Sequence, residues 1–147
     1  MKQKKFSFIA ALAVLLCAAA YGYNEYQRTN KDLLHAKPVI YMKAADLIQA
    51  YEKDSLAFHQ NYLDKIIAVN GIVKNRDVQG NPVVFTIGQN GALSGVQCSM
   101  DSSHSDLYNT LQEGQNVKLK GICTGARKDE LFGTDVILCR CVVEQVY

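Results

Sequence analysis

The sequence predicts a mainly β fold: a small five-stranded Greek-key barrel with short helices, carried behind an N-terminal membrane segment. Three observations lead there. Residues 66–73 and 117–123 read as strands with apolar side chains recurring at period two, each with an internal glycine, Gly71 and Gly121. A helical turn carrying Leu107 and Leu111 precedes the second of these runs. A basic Lys2-Gln3-Lys4-Lys5 start is followed by an apolar run from Phe6 to Ala20, broken only by Ser7.

The N-terminal segment comes first in the chain. Residues 1–5 form a basic cytoplasmic n-region and residues 6–23 a single-pass anchor. Tyr21, Tyr23 and Tyr26 stand where interfacial aromatics belong. Two other readings of the segment stay open. Ala18-Ala19-Ala20 offers a small-residue cleavage site, and Leu15-Leu16-Cys17 a degenerate lipidation site. All three place the rest of the chain outside the cytoplasm, in the periplasm or its equivalent. Residues 24–40, polar and without period, read as a stalk.

The domain, residues 41–147, begins with a helix over 43–53. Ala44, Leu47, Ile48 and Tyr51 fall on one side of it and Asp46, Gln49 and Glu52 on the other. Asp54 can cap a second helix over 55–63, where Leu56, Phe58 and Tyr62 would pack inward. Both helices are expected to cover one end of the barrel. Strand one, 65–75, turns Ile67, Val69, Gly71 and Val73 to one face, and Gly71 marks a sharp coil. Turn residues 77–82 lead to strand two, 83–87. A glycine-rich loop, 88–95, leads to strand three, 96–100. A helix follows over 102–113, then strand four over 117–123, a charged loop over 124–134 and strand five over 135–146. Five strands with a helix between the third and fourth is the order of an OB-fold.

The same residues resemble a known family. Asp46-Leu47, Tyr51-Glu52-Lys53-Asp54, Tyr62, Lys65 and Val69-Asn70-Gly71-Ile72-Val73 are similar to the tRNA-anti-like family of bacterial OB-fold proteins. Val96-Gln97-Cys98, Gly121-Ile122-Cys123-Thr124-Gly125 and Asp135-Val136-Ile137-Leu138-Cys139 continue the likeness, which spans roughly 41–141. Tyr23-Asn24 and Arg28 look like the region after the anchor in membrane-bound members. The resemblance implies the fold. As a functional signal it is weak, because the family's name reflects fold likeness to anticodon-binding domains, and it carries over no catalytic motif. Cys141 and the loop 126–133 look particular to this chain.

Composition bounds the function. The 147 residues carry a formal charge of +2, from 16 Lys and Arg against 14 Asp and Glu. Three of those lysines precede the apolar run, so the domain itself is close to neutral. A phosphate-backbone binder usually carries a basic face, and this balance argues against nucleic acid. OB-folds bind single strands on the outer face of strands two and three, with aromatic stacking and basic loops. The residues expected there are Thr86, Gln97 and Ser99, with Lys74, Arg76, Arg127 and Lys128 in the flanking loops. Acids interleave those cations, there is no Trp, and Phe85 faces the core by alternation.

Cys98, Cys123, Cys139 and Cys141 lie in a compartment that permits disulfides. Strict alternation turns all four inward, and the strand order of an OB-fold makes them converge. Structural disulfides, with Cys123–Cys139 the first pairing to test, are favoured over free thiols. A metal or redox role comes last, since no Cys-x-x-Cys knuckle is present. His35, His59 and His104 show no ligand spacing. No nucleophile motif or phosphate loop occurs. The expectation is therefore a membrane-tethered binding module, not an enzyme, with no cofactor and no metal. Its expected partner is a protein, peptide or envelope glycan. Single-stranded nucleic acid is the alternative, and thiol redox or metal handling the second alternative.

Overall fold

The computed structural model describes residue 14 and residues 17–23 and 32–147. Residues 17–23 are helical. The anchor expected over 6–23 lies largely outside the described residues, and none of the helices among them is long and apolar enough to cross a membrane.

From Asp32 onward the chain forms one compact unit. Its elements are β1 (Ile40–Lys43), α1 (Ala44–Lys53), α2 (Ser55–Tyr62), β2 (Ile66–Asp77), β3 (Val84–Gly88) and β4 (Gly95–Met100). A 3₁₀ turn (Ser102–His104), α3 (Ser105–Tyr108), β5 (Asn116–Asp129) and β6 (Gly133–Val146) follow. The strands run in the order β1-β2-β3-β4-β6-β5, and β2 pairs β5 to close a five-stranded barrel. β4 and β6 are parallel, as are β1 and β2; the other pairings are antiparallel.

Within the barrel ring β2 serves two neighbours in succession, while β1 adds to it from outside the ring. Ile66–Ile72 pairs with β5, and Ile72–Asp77 pairs with β3. The strand coils at Gly71, where a Cβ would lie 3.2 Å from Ala44 Cβ and 3.3 Å from the Gly88 nitrogen. Side chains with period two fill the barrel: Ile67, Val69 and Val73 from β2, Phe85 and Ile87 from β3, Val96 and Cys98 from β4, with Val117, Leu119, Val136 and Leu138 from the last two strands. α1 closes the end beside Ile87 with Ala44, Leu47 and Ile48. Tyr108, at the end of α3, lies edge-on to Phe85 at 6.2 Å.

Asp54 ends α1 and starts α2. Its N–H donates to the Ala50 carbonyl, and its carboxylate accepts from the Ala57 N–H at 2.9 Å, a cap worth about 1 kcal/mol. Phe58 is buried between Tyr51 (5.3 Å, edge-on) and Tyr62 (4.9 Å). Leu56, expected to pack inward, is 76% exposed. It precedes Phe58 by two residues, which puts it on the opposite side of the helix.

Four further expectations are corrected. The helix expected over 102–113 is a 3₁₀ turn and one turn of α3, because Leu111 bonds back to Tyr108 rather than continuing the α ladder. Leu111 and Tyr108 are buried as expected, whereas Leu107 is 42% exposed. The charged loop expected over 124–134 is a hairpin in which β5 and β6 pair out to Asp129 and Gly133. Asp129 tightens the turn by accepting from the Leu131 and Phe132 N–H groups at 2.8 and 3.1 Å, and Gly133 takes φ 84°.

The stalk expected over 24–40 does not extend to residue 40. Leu33 is buried, and Lys120 donates to the Leu34 and Ala36 carbonyls at 3.1 and 2.8 Å. β1 then pairs with β2. Finally, the cysteines do not all face inward. Arg140 has φ 55°, and this irregularity breaks alternation in β6. Leu138 and Cys141 both point into the core and Cys139 points out, near Thr124 Oγ1 at 3.6 Å. Gly121 makes room for this arrangement: a Cβ there would sit 2.4 Å from Cys141 Sγ.

Candidate ligand-binding face

The outer surface of β3 and β4 is built by register. Thr86 lies opposite Gln97, and Val84 opposite Ser99. Gln97 donates through Nε2 to Asp135 Oδ2 at 2.8 Å. Arg127 Nη2 approaches the same oxygen at 3.8 Å and pairs with Asp135 in register. Thr86, Gln97, Asp135 and Arg127 therefore form one slanted polar row across β3, β4, β6 and β5, in which Asp135 lies opposite Gly95 and is reached diagonally by Gln97. Gly95 keeps the row flat, since a Cβ there would meet Thr86 Cγ2 at 2.6 Å. The acid at its centre opposes a phosphate. The Arg127–Asp135 pair is long and its arginine is exposed, so it is worth at most about 1 kcal/mol.

The basic residues expected to flank this face are distributed differently. Lys74 directs its ammonium to the carbonyls of Ala92, Leu93 and Ser94, the last at 3.0 Å. Its charge fastens the β3–β4 loop instead of facing a ligand. Arg76 lies over the buried Phe85 ring at 5.9 Å and donates to the Asn109 carbonyl at 3.3 Å. It closes the α3 end of the core. Arg127 is exposed, and Lys128 borders a depression with Tyr51, Glu52 and Leu56. Of the seven expected residues, Thr86, Gln97 and Arg127 share the row, Ser99 stands in the next one, Lys74 and Lys128 sit near one end, and Arg76 belongs elsewhere.

The sequence reading missed the most exposed apolar group at that end. The β3–β4 loop is seated on the hairpin turn: the Thr134 N–H donates to Ser94 Oγ at 3.0 Å, and a Cβ on Gly133 would lie 2.7 Å from that oxygen. Leu93 on the loop is 72% exposed, and Leu131 and Phe132 on the turn are 77% and 69% exposed. The signal was present as Leu131-Phe132 between Asp129 and Gly133, two large apolar side chains inside a turn. A cleft of about 450 Å³ between α1 (Asp46, Gln49, Glu52) and the loop (Gln89, Ala92, Ser94) opens at the same end.

The described cysteines are free thiols. Burial pushes the Cys123 thiol up, and burial with the neighbouring Cys98 pushes Cys141 well up. Both therefore hold their protons and are poor nucleophiles. β6 sets Cys139 opposite Ile122, and Leu138 opposite Cys123. Among the described residues, no group of three or more His, Cys, Asp or Glu could hold a metal ion.

Comparison with one solved structure agrees with this architecture. The crystal structure of a "putative nucleic acid-binding lipoprotein" from Klebsiella pneumoniae subsp. pneumoniae MGH 78578 superimposes with a TM-score of 0.54 at 17% identity, over 71% of this chain and 91% of that one. An OBody, NL8, bound to hen egg-white lysozyme matches with a TM-score of 0.41 at 15% identity, over 55% of this chain and 96% of that one. No curated protein matches the chain. The tRNA_anti-like family model matches residues 1–141, and the chain belongs to that family.

Proposed function

We propose that this chain is a membrane-tethered OB-fold binding module that acts outside the cytoplasm. Its partner is a protein or peptide, met by the end of the barrel where the β3–β4 loop and the β5–β6 turn interlock. The observation that carries this reading is the joint exposure of Leu93, Leu131 and Phe132 on two turns fixed to each other. Large apolar side chains held out on an ordered surface favour association, and an aromatic is the usual anchor.

The site of chain entry supports the same reading. Asp32, where the compact unit begins, bonds His104 at 2.9 Å. His104 follows β4, whereas Leu93 precedes it. Asp32 therefore lies at the end of the domain away from the patch. Lys2, Lys4 and Lys5 before the apolar run support an N-terminus held inside.

A second reading follows from Phe132 standing close in sequence to Arg127 and Lys128, the pairing of ring and cation used on single strands. The Klebsiella protein's name points the same way. Asp129, Glu130 and Asp135 oppose it, and Lys74 is already committed to the loop.

Full-length protein carrying a photo-crosslinking residue in place of Phe132 tests the proposal. It should give one dominant protein adduct in native membranes, absent when the same residue replaces exposed Asn109. Phe132→Asp should abolish co-purification of that partner at unchanged melting temperature. Equal labelling from both positions refutes the proposal. Tight oligothymidylate binding that weakens steeply with salt, and weakens further in Arg127→Gln, establishes the second reading instead.

A further inference from the structure

An adjoining part of the surface has the character of a small-ligand site. On the outside of β2, β5 and β6, Lys43 lies opposite Asn70, Asn70 opposite Lys118, and Lys118 opposite Gln145. In the next row Ile72 lies opposite Asn116, and the Tyr147 N–H donates to the Asn116 carbonyl at 2.9 Å. Residues 34–36 cover the neighbouring row through Lys120. The open rows lead into a cleft of about 240 Å³.

Four carboxamides, Asn70, Gln89, Asn90 and Asn116, line this cleft, with Gly71, Gly88 and Ile72 among them. The glycines bring backbone close: Gly88 leaves the space a Cβ would contest with Lys74 Cδ at 3.0 Å. Tyr41 and Tyr147 flank the rows, 58% and 61% exposed. Lys118 Nζ rests 4.7 Å from the Tyr41 ring centroid and 3.3 Å from Glu144, so that cation is neutralised locally. Asn70 Oδ1 is shielded and accepts no hydrogen bond. An acceptor in that state gains by turning toward a donor that enters the cleft.

The chemistry selects a ligand class. Each carboxamide presents both donors and acceptors, which complements hydroxyl groups that also do both. No carboxylate lines the cleft, and the only cation is the exposed Lys43, too little to hold an anion firmly. The volume falls below the roughly 300–1,000 Å³ of sites for drug-sized molecules and suits a single ring. Tyrosine offers an apolar face with a polar tip, a surface suited to the alternating C–H and O–H groups of a sugar.

We infer that this cleft binds one ring of an uncharged, hydroxyl-rich glycan. The cleft shares Ala45 and Gln89 with the cleft of about 450 Å³ beside the protein-binding end, but Leu93, Leu131 and Phe132 do not line it. It would let the module hold an envelope glycan and a protein partner at once.

The test uses full-length protein in detergent, titrated with cellobiose and with N,N′-diacetylchitobiose and followed by ligand-observed NMR. At least one disaccharide should bind in the millimolar range. Asn116→Ala and Asn90→Ala, both on exposed side chains, should each weaken it at least tenfold at unchanged melting temperature. Tyr41→Ala should weaken it as well. Phe132→Asp should leave sugar binding unchanged, which separates failure here from failure of the protein-partner proposal. Absence of binding to both sugars overturns the inference. So does displacement of the sugar by millimolar inorganic phosphate, or wild-type affinity in Asn116→Ala.

Discussion

Gly121→Ala offers a quantitative check on the irregularity in β6. The new methyl would stand 2.4 Å from Cys141 Sγ, 3.1 Å from the Cys139 carbonyl oxygen and 3.2 Å from Leu138 Cβ. Three neighbours close the site from different directions, and Cys141 and Leu138 are fully buried. Relaxation is therefore restricted, and overpacking should cost about 2–3 kcal/mol, the upper part of the usual range. For a domain of this size that is a fall of about 8–12 °C in melting temperature. Cys141→Ala alone should cost about 1 kcal/mol, the scale of one small buried group. In the double variant Sγ is gone and the closest contact with it. The pair should therefore be about as stable as Cys141→Ala alone, with a coupling energy of at least about 1.5 kcal/mol. Urea denaturation of the four proteins, followed by circular dichroism, measures the cycle. Additive losses would mean that Cys141 does not face Gly121, and the placement of Arg140 at positive φ would fall with it.

Three other expectations follow. Lys120→Ala removes the donor to the Leu34 and Ala36 carbonyls; it should cost about 1.5–3 kcal/mol, and limited trypsin digestion should cut faster after Lys37. Asp101 is held below its ordinary pKa of 3.8, first by the Ser103 N–H that it accepts and then by the Ser103 hydroxyl and Arg140. Because the folded value is the lower one, its contribution is present above pH 3.8 and is lost as pH falls through the folded pKa; Asp101→Asn should flatten the fall of melting temperature between pH 4 and 2. A periplasm-dependent reporter fused after Tyr147 should be active, and intact mass from membranes should match the full chain; a mature N-terminus at Tyr21 or an acylated Cys17 would replace the anchor reading.

The legible parts of the fold were those governed by period and punctuation. Period two set the inward face of β2 correctly, and Asp54 stood visibly between two helices. What stayed hidden depended on partners distant in sequence. Arg140 adopts φ 55° without the glycine or asparagine that announces such a residue, so alternation assigned Cys139 to the wrong side. Thr124 to Asp129 looked like loop because its outward residues are charged. Those residues are the solvent side of a strand that β6 completes. Leu33, one of two adjacent leucines in a short stretch without period, gave no face to read and is nonetheless buried in the folded domain. The candidate face was legible in its strand residues, Thr86, Gln97 and Ser99. It was illegible in its cations, since nothing local to Lys74 predicts three carbonyls 18 to 20 residues away.

The position of β6 between β4 and β5 has a consequence for biogenesis. The last strand of the chain is also an internal one, so neither neighbour has its full set of backbone partners until residues 133–146 are available. Before that, β2 can join β3 and β5, but the ring stays open along two strand edges. Contacts so distant in sequence form slowly, and here the decisive ones involve residues 133–146. A barrel built this way should close in one late step, when β6 enters the slot between β4 and β5 and satisfies both edges together.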